Sequence, residues 1–210
     1  MLKSLVFTFA IWLLILPLTS VSQTCSSNQP SSCINTSCSE ELESTRNGIE
    51  LIRRHNEILL QSANGKRTHL YSDKKKECGV AAAVLNDSHF YIQSCSETPF
   101  VADRNGIRLY KMPNFKYWDI VSNTSGTTFA VFERGRSFTH EFGQGTYDRL
   151  RLVVYKTESG EKLFEHKWSA SSSEAPTSEQ IGLSDDGSIL YLCRGGETPV
   201  QFQVPGRKHP

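Results

Sequence analysis

The stretch "QIGLSDDGSILYLC" (residues 180–193) predicts a strand, a tight turn and a second strand. Asp186 and Gly187 lie between two apolar stretches, which is a strong short-range signal for a β-hairpin. Two other stretches follow the same plan, with polar turn residues and then an apolar or alternating strand. They are "GVAAAVLNDSHFYIQSC" (79–95) and "NTSGTTFAVFERG" (123–135). The chain is therefore predicted to contain three copies of one strand-turn-strand unit.

A second unit alternates with the first and also occurs three times. In each copy an apolar strand runs into a polar or Pro/Gly turn, and a second apolar strand follows. The copies are "NGIELIRRHNEILLQ" (47–61), "NGIRLYKMPNFKYWDI" (105–120) and "RLRLVVYKTESGEKLFEHKW" (149–168). The tetrapeptide "RNGI" occurs twice, at 46–49 and 104–107, and "PVQFQVP" (199–205) predicts a last strand. Self-similarity of this kind indicates a repeat architecture, here an all-β one.

Two of these stretches, "LSDDGSILYLC" (183–193) and "LVVYKTESGEKLF" (152–164), resemble the β-propeller repeats of the WD-repeat class and of related bacterial propellers. The resemblance covers about residues 49–205. It implies a partial or small β-propeller-like stack of antiparallel sheets, with about three blades. Trp118-Asp119 lies on the strand after its turn, so this pair does not match the WD signature.

A set of three blades leaves strand edges open at both ends of the stack. Closed propellers typically have four or more blades, and open edges favour pairing with another chain. Three outcomes fit the sequence equally well. A fourth, partial sheet closes the stack, the Cys-rich N-terminal segment covers the edge, or a partner completes it, including a second copy in a homo-oligomer.

The segment 39–65 also fits a helix. Ser37 and Glu40 have the spacing of a capping box, and apolar residues follow at helical spacing. Asn47-Gly48 interrupts that helix, and the Gly alone costs about 1 kcal/mol in a helix interior. We therefore predict a short helix near residues 38–46, followed by a hairpin.

The first 22 residues have the parts of a secretory signal peptide. Lys3 precedes the apolar run "LVFTFAIWLLIL" (5–16), Pro17 follows, and "SVS" (20–22) supplies the small residues of a cleavage site after Ser22. The apolar run is shorter than the roughly 20 residues of a membrane span, although an uncleaved anchor is an alternative. The protein is thus predicted to be secreted or periplasmic, with no stable membrane anchor after cleavage.

Removal of the signal leaves a neutral chain. The full chain has 23 Lys and Arg against 22 Asp and Glu, so the loss of Lys3 makes the two equal. A neutral chain has no general field to attract nucleic acid, which argues against that partner. The predicted organisation is a signal peptide (1–22), a Ser/Cys-rich segment (23–46), a propeller-like β domain (47–205) and a flexible tail (206–210).

Six cysteines lie after the signal, and an even number in an exported chain indicates disulfides. They are Cys25, Cys33, Cys38, Cys78, Cys95 and Cys193. The first three could instead form a thiolate metal site, but their spacing departs from Cys-x2-Cys. Cys78 and Cys95 bracket one predicted hairpin, so we predict that they pair, while Cys193 pairs with one of the first three. Asn35, Asn86 and Asn123 lie in Asn-x-Ser/Thr sequences, which accept sugar only in a host with that machinery.

The chain contains none of the common motifs for zinc, phosphate or serine-nucleophile chemistry, and we predict no cofactor. The most suggestive loop is 138–148, where His140, Glu141 and Asp148 lie among glycines. Two functions fit the sequence. The favoured one is a non-enzymatic binding or scaffold module that presents loops to a protein or glycan. The alternative is a propeller-type secreted hydrolase or lyase in which His140 and Glu141 act as general acid and base.

Overall fold

The computed structural model describes residues 40–75, 79–113, 118–135, 138–139, 146–171, 181–192 and 199–205. Over these ranges the protein consists of sixteen β-strands joined by turns and contains no helix. The prediction of an all-β fold is therefore confirmed. Within the same ranges, no helix has the length and apolar character needed to cross a membrane.

The strands form four sheets in which all paired strands are antiparallel. Sheet I contains β1 (Glu41–Arg46), β2 (Ile49–Arg54), β3 (Glu57–Gln61) and β4 (Arg67–Ser72), paired in chain order. Sheet II repeats this arrangement with β5 (Val80–Asn86), β6 (His89–Ser94), β7 (Phe100–Ala102) and β8 (Arg108–Lys111).

Sheets III and IV vary the plan. Sheet III contains β9 (Trp118–Ser122), β10 (Thr128–Arg134), β11 (Phe138–Thr139), β12 (Thr146–Lys156) and β13 (Lys162–Ser171). In it, β12 pairs with β10 and with β13, and the short β11 extends the sheet beside the start of β12. Sheet IV has three strands in the described residues, β14 (Ile181–Leu183), β15 (Ile189–Leu192) and β16 (Val200–Gln203).

The number of sheets corrects the prediction of about three blades, and sheet I explains the difference. A short helix was predicted near 38–46, but residues 41–46 form β1 and pair with β2. Asn47 and Gly48 have φ angles of 50° and 73° and form a two-residue turn between Arg46 and Ile49. A two-residue turn with positive φ at both central residues matches the twist of the two strands that it connects. Asn47-Gly48 therefore joins two paired strands here and does not follow a helix.

The predicted unit at 105–120 is also corrected. Residues 108–111 form β8 in sheet II and residues 118–120 belong to β9 in sheet III, so the stretch connects two sheets and is not a hairpin. The two copies of "RNGI" form different turns. In the first, Asn47-Gly48 is the whole turn, whereas in the second the Gly106 amide donates to the Asp103 carbonyl in a longer turn.

Three hydrophobic clusters lie between successive sheets. Alternate residues of one strand enter different clusters, since neighbouring side chains of a strand point to opposite faces. Phe90 and Ile92 pack with sheet I, while Tyr91 between them packs with sheet III. Sheet III in turn packs Phe132 and Leu152 against sheet IV. The aromatic residues Tyr91, Phe132 and Tyr155 are buried in these clusters.

Candidate functional site

Each sheet has a turn between its first two strands, and these four turns lie together. They comprise residues 47–48, 87–88, 123–127 and 184–188 and are called the turn face below. Asn47 Nδ2 donates to Asp87 Oδ1 over 3.3 Å, which connects the first turn to the second. Side-chain hydrogen bonds of Asn86 and Asn123 connect the second turn to the third and the third turn to the fourth. The turn face is therefore one continuous surface that spans all four sheets.

Two asparagine amides connect the later turns. Asn86 Nδ2 donates to the Gly126 carbonyl over 3.0 Å, and Asn123 Nδ2 donates to the Asp185 carbonyl over 2.9 Å. Asn123 is 1% exposed, and its Oδ1 accepts the Thr128 amide within its own turn. Each asparagine thus closes its own turn and also binds the turn of the next sheet.

These contacts give Asn86 and Asn123 a structural role that the sequence analysis missed. Both were predicted to lie in turns and in glycosylation sequences, with no contact to a neighbouring sheet. Sugar attachment would modify the Nδ2 atom, which in both residues donates to a neighbouring sheet. The sequence signal for this role was the position of Asn123, three residues before Gly126. An asparagine that is closely followed by a glycine is typical of a turn in which the asparagine side chain forms hydrogen bonds to the backbone. Asn35 lies outside the described residues.

Glycines allow the turns to pack closely on the preceding sheet. Gly126 and Gly187 have φ angles of 66° and 71°, a region that other residues adopt at a cost. A Cβ on Gly126 would overlap the Asn86 side chain, and a Cβ on Gly187 would overlap Thr128 Oγ1. Backbone conformation and lack of space therefore both require glycine at these two positions.

Arg46 joins the first and third sheets within the turn face. Its guanidinium donates to Ser122 Oγ and to the carbonyls of Asn123 and Thr124, with Nη2 2.6 Å from the Asn123 oxygen. Burial lowers the pKa of Arg46, and the nearby Asp87 carboxylate opposes that shift. A small pocket of about 210 Å³ opens here, lined by Arg46, Asn47, Asn86, Asp87, Ser88 and Ser125.

A larger pocket, of about 540 Å³, lies at the opposite end of sheet III from its turns. We call it the sheet III pocket. Its polar side chains come from β10, β12 and β13, where Glu133 pairs with Arg151 and Arg151 pairs with Lys167 in the strand register. The lining residues are Glu133, Gly135, Arg149, Leu150, Arg151, Lys167, Trp168 and Ser169.

Ion pairs connect the charges at this pocket. Arg151 Nε lies 2.6 Å from Glu133 Oε2, and Arg151 Nη1 lies 3.6 Å from Glu165 Oε1. Glu165 also accepts from Lys162 at 2.8 Å and from Lys167 at 3.1 Å. These two lysines lower the pKa of Glu165, which keeps its carboxylate ionised at neutral pH. The charges alternate along "RLRL" (149–152) and "EHKW" (165–168), and this period-two pattern was the unused sequence signal.

The loop 138–148, which carries the catalytic alternative, is only partly described. Residues 138–139 pair with residues 146–147, so part of the predicted connection extends sheet III as a hairpin. Asp148 lies in β12, whereas His140 and Glu141 fall outside the described residues. A catalytic role for this loop remains a prediction.

A second buried polar cluster joins sheets I and II beside Cys95. Asp73 is 2% exposed, and its carboxylate accepts Ser96 Oγ at 2.5 Å and the Lys75 amide at 2.7 Å. The hydrogen bond from Ser96 is the main cause that lowers the pKa of Asp73 to about 2. A buried carboxylate with these donors has a structural role, and Asp73 holds the chain in place directly after β4.

The cysteine pairing stays a prediction. Cys95 is exposed directly after β6, and the other five cysteines lie outside the described residues. The register of β5 and β6 pairs Val80 with Ser94, so its next pair would place Gly79 opposite Cys95. Cys78 lies outside the described residues, so this register does not test its pairing with Cys95. The expected cleavage after Ser22 also falls outside the described residues.

Comparisons with known proteins assign no family. No family model matches the chain, and neither does any curated protein. Among solved structures the chain is similar to Kluyveromyces lactis Hsv2, with 10% sequence identity, a TM-score of 0.28, and coverage of 75% of this chain and 71% of that one. A similarity this weak does not establish a propeller family. Within the described residues no group of three or more potential metal ligands occurs.

Proposed function

We propose that this protein is an exported, non-enzymatic binding module that presents its turn face to a protein or glycan partner. The observation that carries the proposal is the chain of contacts from Asn47 to Asp87, from Asn86 to Gly126 and from Asn123 to Asp185. Through these contacts four separate turns form one surface. Binding residues are often found on loops that a rigid scaffold positions.

The side chains on this surface suit recognition. Asp87, Ser88, Thr124, Ser125 and Asp185 are exposed, and their backbones are held by buried or close-packed neighbours. They offer carboxylate and hydroxyl groups in fixed positions. Because the backbones of these residues are already ordered, binding of a partner would cost little conformational entropy.

Export and a relationship to propeller repeats belong to the same proposal. The predicted signal peptide at 1–22 supports a secreted or periplasmic location. The first strands of successive sheets contact one another in order, β1 with β5, β5 with β9 and β9 with β14, as expected for blades arranged in series. This order supports a small propeller-like stack of four sheets, in which sheet I is the addition to the three predicted blades.

The test is capture of partners by the mature chain from its native secreted or periplasmic fraction. The informative variant is Asp87→Ala combined with Asp185→Ala, which removes two exposed carboxylates from the turn face. Glu158→Ala is the matched control, since Glu158 is an exposed acid in the turn between β12 and β13, outside the turn face.

We expect the wild-type chain and Glu158→Ala to retain the same partner and the double variant to lose it. Circular dichroism should show that all three chains are folded. Equal capture by the double variant and the control would contradict a role for the turn face.

A further inference from the structure

We propose that the sheet III pocket binds an acidic saccharide, that is, a sugar unit carrying a carboxylate or sulfate group. This inference goes beyond the proposed function, because the pocket lies at the opposite end of sheet III from the turn face. Its volume of about 540 Å³ falls within the range, roughly 300–1,000 Å³, that is typical of small-ligand sites.

The charge balance at the pocket favours an anion. Among the described residues, three cationic side chains (Arg149, Arg151 and Lys167) and one carboxylate, that of Glu133, line the pocket. The nearby Glu165 carboxylate is shared by Arg151, Lys162 and Lys167. An anionic group at the pocket would therefore add negative charge beside cations that outnumber the lining carboxylate, with charge-assisted hydrogen bonds.

The cations at the rim remain accessible to a ligand. The Lys167 side chain is 65% exposed, and Arg149 is exposed as well. Both line the pocket from adjacent strands, with Leu150 between Arg149 and Arg151. A ligand anion can reach these two side chains without breaking the shorter ion pair between Arg151 and Glu133.

The remaining lining favours a saccharide over a simple anion. The Glu133 carboxylate and the Ser169 hydroxyl offer acceptors for sugar hydroxyl groups, and Trp168 contributes apolar surface. A carboxylate inside the site disfavours a polyphosphate chain, and the balanced net charge of the protein gives no general attraction for one. A ligand with both an acidic group and hydroxyl donors matches this combination.

The experiment is calorimetric titration of the mature chain with three probes in calcium-free buffer. The probes are hexagalacturonate, the neutral sugar maltohexaose, and sodium sulfate. We expect hexagalacturonate to bind, with affinity that falls as the salt concentration rises, because charges at a partly exposed site are screened. Maltohexaose should show no binding and sulfate only much weaker binding. Equal affinity for the neutral sugar, or for sulfate alone, would overturn the proposal.

Two lysines of β13 provide a matched pair of variants. Both contact Glu165, but only Lys167 lines the pocket. Lys167→Gln combined with Arg149→Gln should weaken hexagalacturonate binding about tenfold or more, the scale expected for lost charge-assisted hydrogen bonds. Lys162→Gln should change it less than about twofold. Should the double variant fail to fold, Lys167→Gln alone gives the same comparison at a highly exposed position.

The turn face and the pocket can fail separately. The Asp87→Ala, Asp185→Ala chain should bind hexagalacturonate as the wild type does, because neither residue lies near the pocket. Wild-type affinity in the Lys167→Gln, Arg149→Gln chain would overturn the pocket proposal whatever the capture experiment shows. A variant that loses partner capture but still binds the saccharide tests the turn-face proposal alone.

Discussion

The two ends of sheet III are held together by different interactions. At the turn end, the buried Asn123 forms neutral hydrogen bonds to its own turn and to sheet IV, and Gly187 packs against Thr128. At the pocket end, Arg151 and Glu165 form ion pairs whose side chains are 26% and 21% exposed. Sheet III thus has one end with buried, close-packed turn residues and one end with charged side chains in contact with solvent.

This difference determines how much the contacts at each end contribute to stability. A buried polar atom that loses its partner costs about 1–3 kcal/mol, whereas an exposed ion pair contributes about 0–1 kcal/mol. Changes to the buried residues of the turn end, Asn123 and Gly187, should therefore mainly alter the free energy of unfolding, whereas changes to its exposed side chains should alter partner capture. Changes at the pocket end should mainly alter ligand binding and salt dependence.

The largest effect is expected from Gly187→Ala. The new Cβ would overlap Thr128 Oγ1 while the backbone holds a φ of 71°. Left-handed strain costs about 1–2 kcal/mol and overpacking about 1–3 kcal/mol, so we expect a loss of about 3 kcal/mol or more. Chemical denaturation measures it.

Gly65→Ala is the matched control for that variant. Gly65 has a φ of 79°, but no heavy atom outside its immediate chain neighbours lies within 4 Å of the position of an added Cβ. Its loss should be limited to backbone strain, about 1–2 kcal/mol. If the two variants lose the same stability, close packing of the turn on sheet III is not important.

A smaller loss is expected from Asn123→Ala. The change leaves the Thr128 amide and the Asp185 carbonyl without their side-chain partner, which should cost about 2 kcal/mol. Asn105→Ala is the control, because Asn105 is exposed and, among the described residues, its side-chain amide bonds only to Asp103 in its own turn. That control should change the free energy of unfolding by no more than about 0.5 kcal/mol. Thermal or chemical denaturation of both variants decides whether the link between sheets III and IV matters.

The sequence predicted local hairpins well because turn chemistry is local. Asp186-Gly187, Asn86–Ser88 and Asn123–Gly126 all lie in turns between paired strands. The error at residues 41–46 has a local cause as well. These residues, "ELESTR", are mostly polar, and most of their side chains are half-buried in β1. They therefore lack the alternation of apolar and polar residues that predicts a strand.

The candidate surfaces were harder to predict because they depend on contacts between distant residues. Arg46 meets Thr124, and Asn123 meets Asp185, across 78 and 62 positions of the chain. No motif of fixed spacing describes such pairs. The ion pairs of the sheet III pocket depend on strand register, which a single sequence does not provide for β12 against β10.

The smallest effect is expected from Glu165→Gln. Lys162 and Lys167 lower the pKa of Glu165 below its ordinary value of 4.5. A carboxylate with a lowered pKa in the folded state adds stability above the ordinary pKa, and that stability is lost as the pH falls through the folded pKa. Because these pairs are partly exposed, the contribution at neutral pH should stay below about 1 kcal/mol and shrink in high salt. We therefore expect Glu165→Gln and the wild type to differ slightly at pH 7 in low salt, and to converge once the pH has fallen below the folded pKa of Glu165 or at high ionic strength. Denaturation curves under these three conditions measure the difference, and a difference that persists at low pH would show that Glu165 acts through packing and not through its charge.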